Sequence, residues 1–306
     1  MSPWSADDVP SQLDRIAVVT GAGSGLGLAT ATQLARHGAL VVLAVRDVRA
    51  GEHAAGVIRN SVPRADLQVR ELDLACLESV RGFAGDVTSS LGTVDLLVNN
   101  AATADLGPAR ATADGFELHI GTNFLGLFAL TGLLLDALSR AGGARVVNLS
   151  STAHRSVHLD VDDLMSERDF EGVRVYSRSK LATTVFGLEL DRRLRAAGSS
   201  VLSVVAHPGL TRTSLAPNAF AQRGWRGRMT AALLRVPSQR VERGVLPQLH
   251  AATATGVRGG QFFGPSGPGE MRGHVVEVRP SAEAADAVVG RRLWNAAEAL
   301  TGVRYL

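Results

Sequence analysis

The sequence TGAGSGLG, residues 20–27, separates a short apolar run at residues 15–20 from a segment with helical apolar spacing at 25–37. Glycines here permit a tight turn and let the backbone approach a ligand. The following helix would direct its free N–H groups at that turn, which suits a phosphate. The strict G-x-G-x-x-G pattern fails because position 26 is Leu, whereas T-G-x-x-x-G-x-G fits. A purely structural turn would need fewer glycines, so we predict a dinucleotide-binding turn formed by Gly21, Ser24, Gly25, Leu26 and Gly27.

Short β-branched runs alternate with helical patterns along most of the chain. Besides 15–20, buried strands are predicted at residues 39–45, 67–72, 94–99, 144–150 and 201–206, with a seventh at 260–263. Helical apolar spacing occurs at 25–37, 77–90, 115–137 and 177–197. Apolar strands that alternate with helices indicate a parallel sheet covered on both faces. The predicted fold class is therefore α/β, a doubly wound, Rossmann-type parallel sheet of about seven strands.

The length of 306 residues fits one large α/β domain, so we predict a single Rossmann-type domain over residues 1–306. The alternation breaks at about 211–258, an arginine-rich stretch where we expect a substrate lid. Its arginines could meet an acidic substrate or a membrane surface, or form a solvated helix face. A C-terminal helix is predicted at about 281–303.

Composition bears on partners and location. The net charge is only +3, and no basic run with interleaved aromatic residues occurs, so no nucleic-acid partner is expected. The longest apolar run, residues 124–135, is too short for a transmembrane segment. The N-terminus lacks a targeting pattern, and the chain has one cysteine, which together predict a cytoplasmic protein. No H-E-x-x-H or C-x-x-C spacing occurs, so no metal site is predicted.

Arg46 follows the predicted second strand and could pair with the 2′-phosphate of NADP, which a carboxylate would repel. Asp47 could instead bind the ribose of NAD if the strand ended one or two residues later, and Arg46 would then be a surface charge. Four residues lie at or just after the ends of the third and fourth strands, at the edge where such sheets bind ligands. These further candidates for the cofactor site are Asp73, Leu74, Asn99 and Ala101.

Lys180 is the only lysine among the 32 lysine and arginine residues of the chain. An amine has a tunable pKa and a guanidinium does not, so a lone retained lysine suggests a specific role. Tyr176 lies four residues earlier, on the same face of a predicted helix. A nearby ammonium lowers the pKa of a phenol, which can then exchange a proton with an alcohol or carbonyl oxygen. The alternative is an ordinary surface pair.

Two further polar residues are candidates for the catalytic site. Ser151 follows the fifth strand, where its hydroxyl could hold a substrate oxygen, although serine also caps helices. Asn123 falls inside the apolar helical segment 115–137, and a buried amide there must be hydrogen-bonded. Its role could be structural or part of a proton relay.

The combination of residues 20–27, 99–101, Asp73, Asn123, Ser151, the Tyr176-x-x-x-Lys180 pair and Pro208-Gly209 resembles the short-chain dehydrogenase/reductase family over roughly residues 14–265. By position, the resemblance implies that Tyr176 is the acid/base, and that Lys180 lowers its pKa and binds the nicotinamide ribose. Ser151 would orient the substrate carbonyl, and Asn123 would anchor a water linked to Lys180. Asp73 would contact adenine. The nicotinamide side would be lined by Pro208, Gly209 and Thr211.

The 25-residue separation of Ser151 and Tyr176, together with Arg46, resembles the subgroup of retinol dehydrogenases, the WW-domain oxidoreductase and protochlorophyllide reductases. Ala102 replaces a usual glycine, and Phe124 and Leu127 stand where this subgroup often has histidines. These departures weaken the transfer of substrate identity.

The resemblance implies an NADP(H)-dependent oxidoreductase acting on a small carbonyl or alcohol substrate, which we expect to be apolar. It also implies a homodimer or homotetramer. An NAD-dependent dehydrogenase and a non-catalytic cofactor-sensing protein are the alternatives.

Overall fold

A computed structural model of the protein describes residues 3–211 and 238–306. In these residues eight strands form one sheet, with the bounds β1 Ile16–Thr20, β2 Leu40–Val45, β3 Asp66–Glu71, β4 Leu96–Asn99, β5 Arg145–Leu149, β6 Leu202–Ala206, β7 Phe262–Pro265 and β8 Val275–Glu277. Their order is β3-β2-β1-β4-β5-β6-β7-β8. All neighbouring pairs are parallel except the β7–β8 pair, which is antiparallel. The predicted doubly wound parallel sheet is confirmed.

Helices cover both faces of this sheet. Their bounds are α1 Gly25–Arg36, α2 Val48–Ser61, α3 Leu77–Leu91, α4 Leu118–Ile120, α5 Gly126–Leu133, α6 Leu135–Arg140, α7 Gly172–Ala196, α8 Val241–Gly244, α9 Leu246–Thr253, α10 Ala282–Ala285 and α11 Ala287–Thr301. A π-helical turn, Gly121–Leu125, joins α4 to α5, and short 3₁₀ turns occupy Ala6–Asp8, Thr152–Arg155, Val161–Asp163 and Pro268–Glu270.

Alternate residues of the central strands point into two separate apolar layers, because successive side chains of a strand face opposite sides. Val18 of β1 packs in the layer with Phe128 of α5 and Trp294 of α11. Val19 packs in the other layer, with Leu34 of α1. Continuous burial on both faces explains why these strands have apolar sequences throughout.

The strand order switches at β1, which pairs with β2 on one side and with β4 on the other. The strands β2 and β3 extend the sheet to one side of β1, and β4 onward extend it to the other. A ligand site is expected outside the carboxyl ends of the strands at such a switch point. Thr20, Asn99 and Leu149 end β1, β4 and β5 at this edge, so the sheet brings the predicted site residues to one side of the molecule.

Several element predictions need correction. β8 is an additional strand, and its exposed residues give no apolar run. The helix predicted at 115–137 is interrupted by the π-helical turn. The predicted C-terminal helix is two helices, α10 and α11, which meet at Asp286, the N-cap of α11.

Most of the predicted lid, residues 212–237, lies outside the described residues, and its described remainder includes α8 and α9. The single-domain organisation stays a prediction. Among the described residues, no helix combines the length and apolarity needed to cross a bilayer.

Candidate active site

The glycine turn between β1 and α1 leaves no space for side chains at two positions. Gly21 has a φ of +67°, and a Cβ added there would lie 2.9 Å from Cα of Ala101. A Cβ on Gly27 would lie 2.3 Å from the carbonyl oxygen of Gly21. The α1 N-terminus opens at this turn, and the hydroxyl of its N-cap, Ser24, makes no capping bond. An open backbone cradle at a helix N-terminus fits the phosphates of a dinucleotide.

Thr20 holds the end of β4 beside this turn. Its Oγ1 accepts hydrogen bonds from the backbone N–H groups of Asn100 at 3.0 Å and Ala101 at 2.9 Å. It also donates to the Val98 carbonyl at 3.2 Å. Ala101 therefore lies against the glycine turn, and its role in the cofactor site stays a prediction.

Asn99 does not extend its side chain into the cofactor site. The side chain is fully buried, and its Nδ2 donates to Thr131 Oγ1 at 3.1 Å and to Asn148 Oδ1 at 3.0 Å. It bonds inside the sheet because its partners come from α5 and β5. The side chain is thus used inside the sheet, and the role of Asn99 in cofactor binding stays a prediction.

The charged side chains at the ends of β2 and β3 differ in whether they already form hydrogen bonds within the protein. Arg46 is exposed and forms no ion pair or hydrogen bond within the described residues. Asp47 caps α2, and its Oδ1 accepts from the N–H groups of Arg49 at 2.9 Å and Ala50 at 3.2 Å. Asp73 Oδ1 likewise accepts from the backbone N–H of Ala75 at 2.9 Å. Leu74 is buried.

Ser151 and Tyr176 meet at the carboxyl end of β5. Ser151 caps the 3₁₀ turn Thr152–Arg155, where its hydroxyl accepts from the backbone N–H of Ala153 at 3.2 Å, and it lies near the phenol of Tyr176. Burial raises the pKa of Tyr176 above its ordinary value, and the nearby Ser151 hydroxyl opposes that rise. The predicted lowering of the Tyr176 pKa is therefore wrong in direction, because desolvation disfavours the phenolate. The phenol is protonated at neutral pH.

Lys180 lies one helical turn beyond Tyr176 on α7 and is only 3% exposed. Its Nζ donates to the Leu149 carbonyl at 2.9 Å, directly at the end of β5. Burial lowers the pKa of Lys180 from 10.5 to about 8. The side chain is thus an ammonium at pH 7, held where the strand carrying Ser151 ends.

Asn123 lies in the π-helical turn, and its fully buried side chain joins two other segments. Its Oδ1 accepts from the Thr103 N–H at 2.7 Å, while its Nδ2 donates to the Thr103 carbonyl at 3.0 Å and to Ser179 Oγ at 2.9 Å. Ser179 directly precedes Lys180. Asn123 therefore positions α7 against the loop after β4, and its predicted link to Lys180 through water stays a prediction.

The loop after β6 is fixed by polar contacts. Thr211 Oγ1 and Gln239 Nε2 both donate to the Pro208 carbonyl, at 2.8 Å and 2.7 Å. Gly209 has a φ of +62°, and a Cβ there would lie 2.5 Å from the Met271 carbonyl oxygen. This tight packing places Pro208, Gly209 and Thr211 at the carboxyl edge of the sheet.

His207 supports that loop and was missed by the sequence analysis. Its buried ring bonds Glu270 Oε2 through Nε2 at 2.9 Å, and its Nδ1 accepts from the Gly209 N–H at 3.2 Å. Burial lowers the pKa of His207 to about 4, so the ring is neutral at pH 7. The only signal in the sequence was its position at a strand end before Pro208-Gly209.

No group of three or more His, Cys, Asp or Glu side chains suited to a metal ion occurs in residues 3–211 and 238–306. His154 is fully buried, and its Nδ1 contacts the Ser151 carbonyl at 2.7 Å while its Nε2 contacts the Ser281 N–H at 3.4 Å. It is a structural residue behind Ser151.

Comparisons with known proteins agree with this arrangement. A family model described as short chain dehydrogenase matches residues 15–224. Human retinol dehydrogenase 11 is 36% identical over 291 residues, covering 94% of this chain and 86% of its own length. Mouse polyprenol dehydrogenase is 39% identical over 299 residues, covering 96% and 86%.

Solved structures give the same result. The crystal structure of an uncharacterised protein from Mycobacterium paratuberculosis is 39% identical, covers both chains fully and has a TM-score of 0.82. The Pseudomonas aeruginosa RhlG/NADP active-site complex is 25% identical, covers 82% of this chain and 94% of its own, and has a TM-score of 0.64. The family resemblance predicted from the motifs is confirmed.

Proposed function

Because this chain belongs to the short-chain dehydrogenase family, whose members are nicotinamide-dependent oxidoreductases, we propose that it transfers a hydride between NADP(H) and a carbonyl or alcohol substrate, with Tyr176 as acid and base. The approach of the Ser151 hydroxyl to the Tyr176 phenol, at the strand end where Leu149 holds the buried ammonium of Lys180, carries this proposal. A hydroxyl pair at the carboxyl edge of the sheet can hold one substrate oxygen from two sides.

Residues of the glycine turn would hold the cofactor. Gly21 and Gly27 form the cradle for its phosphates, and the N-terminus of α1 supplies N–H groups and positive potential. Arg46 is free to pair with a 2′-phosphate, whereas the carboxylate of Asp47 already caps α2. These two observations favour NADP over NAD, in line with the NADP complex of RhlG.

Tyr176, Ser151 and Lys180 each have a separate role in the proposed proton transfer. Tyr176 is a protonated phenol at pH 7, so it is suited to donate its proton to a carbonyl oxygen as that oxygen gains negative charge. The Ser151 hydroxyl orients the same oxygen. The Lys180 ammonium favours the phenolate that remains, because an opposite charge stabilises it. When bound, NADPH supplies the hydride for the carbonyl carbon.

The substrate class follows from the relatives and remains part of the proposal. Two of them are named for retinol and polyprenol, which are alcohols. We propose an apolar alcohol or the corresponding carbonyl compound as the substrate.

Two tyrosines occur in the chain, which provides a matched test. Tyr176→Phe should lower kcat for NADPH-dependent reduction across an aldehyde and ketone panel by ~10²–10⁴-fold, while the Kd of NADPH stays nearly unchanged. Tyr305, whose hydroxyl donates to the Phe128 carbonyl at 3.1 Å, is the control. Tyr305→Phe should keep turnover. Full activity of Tyr176→Phe would refute the mechanism.

Cofactor choice has its own test. Arg46→Ala should weaken NADPH binding by ~10–100-fold, as expected for the loss of a charge-assisted hydrogen bond, and leave NADH binding unchanged. Arg59→Ala, which removes an exposed arginine from the far end of α2, is the control. Equal weakening of NADPH and NADH binding would contradict the role of Arg46.

A further inference from the structure

A buried pair of charged and polar side chains lies beside Tyr176 and has no part in the mechanism above. Glu117 is 7% exposed and His119 is 1% exposed. The Nδ1 atom of His119 lies 2.7 Å from Oε1 of Glu117. Both residues stand at the start of α4, directly before the π-helical turn that holds Asn123.

Glu117 fixes the orientation of the imidazole. The second carboxylate oxygen, Oε2, accepts hydrogen bonds from the backbone N–H groups of His119 at 2.9 Å and Ile120 at 2.8 Å, which makes Glu117 the N-cap of α4. A carboxylate in this role only accepts hydrogen bonds, so Nδ1 of His119 donates to it. In the neutral imidazole the other nitrogen, Nε2, is then an acceptor that points away from Glu117.

The Nε2 atom of His119 is buried and has no hydrogen-bond partner among the described residues. Buried polar atoms are almost always hydrogen-bonded, so an orphaned acceptor calls for a ligand. The imidazole lies next to the catalytic phenol, with the ring centroids of His119 and Tyr176 6.2 Å apart and their planes at 76°. The unused acceptor thus belongs to a buried ring that packs edge-to-face against the catalytic phenol.

We propose that His119, held by Glu117, is a specificity-determining residue whose Nε2 accepts a hydrogen bond from the substrate. The donor is a hydroxyl or N–H group next to the reacting carbon, separate from the oxygen that Tyr176 protonates. This inference rests on the proposed function, because it assigns the second polar group of the substrate in the same site. The favoured substrates are therefore carbonyl compounds with an adjacent hydroxyl group.

Two amide substitutions test the roles of the Nδ1 and Nε2 atoms of His119 separately. His119→Asn keeps a donor near Nδ1 for Glu117 and removes the acceptor at Nε2. His119→Gln keeps an acceptor near the position of Nε2. His250, on α9, is the matched control. Its Nδ1 is also buried without a partner among the described residues, but its ring packs between Trp4 and Phe263 instead of against Tyr176.

The measurement is the ratio of kcat/KM for a 1-hydroxy-2-alkanone to kcat/KM for the 2-alkanone of equal length, with saturating NADPH. We expect His119→Asn to lower this ratio about tenfold, as the loss of one hydrogen bond predicts. His119→Gln should restore at least a third of the wild-type ratio, and His250→Asn should leave it unchanged. Thermal unfolding and the Kd of NADPH verify that each variant is folded.

An unchanged ratio in His119→Asn would overturn the inference, because Nε2 would then serve no substrate donor. Failure of the proposed function gives a different result from failure of this inference, because the wild-type protein would then reduce neither ketone. In that case calorimetry on NADPH-saturated protein compares the Kd of the two ketones. A hydroxyl preference lost in His119→Asn still supports the hydrogen bond, and equal Kd values in the wild-type protein refute it.

Discussion

Replacing Lys180 by Met should make the protein more stable and inactive. Burial lowers the pKa of Lys180 from 10.5 to about 8, and one pKa unit corresponds to about 1.4 kcal/mol. Keeping the ammonium buried at pH 7 therefore costs ~3 kcal/mol of folding free energy. Methionine removes this cost but leaves the Leu149 carbonyl without its donor, a loss of ~1 kcal/mol. We expect the free energy of unfolding to rise by ~2 kcal/mol.

This gain depends on pH in a defined direction. The unfolded lysine keeps its proton up to pH 10.5, whereas the folded one loses it above about pH 8. Between these values the unfolded state binds more protons, so wild-type stability rises with pH. The advantage of Lys180→Met is complete at pH 7 and disappears near pH 10. At pH 10 the two proteins should be about equally stable, because the ~1 kcal/mol of burial cost that remains there offsets the lost hydrogen bond.

Urea unfolding of the cofactor-free proteins at pH 7 and pH 10 measures both effects. Arg59→Gln, which removes an exposed cation from the end of α2, is the control and should change the free energy of unfolding by less than ~0.5 kcal/mol. A Lys180→Met protein less stable than wild type at pH 7, with the wild-type pH dependence, would refute the reasoning. So would full turnover, since Lys180 would then be dispensable.

Two further predictions concern the cofactor edge. Gly27→Ala places a Cβ 2.3 Å from the Gly21 carbonyl oxygen, so we expect a loss of ~1–3 kcal/mol in urea unfolding and at least ~10-fold weaker NADPH binding. Gly56→Ala in α2, where the added Cβ meets nothing within 4 Å, should be neutral or slightly stabilising, and equal losses in both variants would contradict the cradle. His207 has a pKa of about 4 when folded and 6.5 when unfolded, so the unfolded state binds more protons between these values. Wild-type stability should fall by up to ~3 kcal/mol as the pH drops from 6.5 to 4, and by less in His207→Gln, as acid unfolding followed by circular dichroism would show.

The sheet and the glycine turn were predictable because they depend on local sequence. A strand buried on both faces must be apolar throughout, so the strands inside the sheet stand out as apolar runs. All of β1 to β7 have bounds within two residues of the prediction, including the edge strand β3, which is only partly apolar. β8 could not be found in this way. It has three residues at the sheet edge, two of them exposed, and it pairs antiparallel with β7.

The break in the helix predicted at 115–137 has a tertiary cause. The apolar spacing of this segment continues through the π-helical turn, so the sequence pattern shows no interruption. The contacts in the turn are made by Asn123 with Thr103 and Ser179, which lie 20 and 56 residues away in the chain. Only the folded protein brings these partners together, and a π-helical turn at such a position is typical of a functional site.

In the candidate site, too, residue spacing could be predicted from the sequence, whereas the burial of the side chains could not. The four-residue spacing correctly predicted that Tyr176 and Lys180 share one side of α7, but it could not reveal how deeply the helix is buried. Burial acts on the two groups in opposite directions, raising the pKa of the phenol and lowering that of the amine. Both groups are thereby pushed toward their neutral forms, so Tyr176 keeps its proton at pH 7. A phenol that holds its proton at pH 7 is prepared to act as an acid, which is the role proposed for Tyr176 in carbonyl reduction.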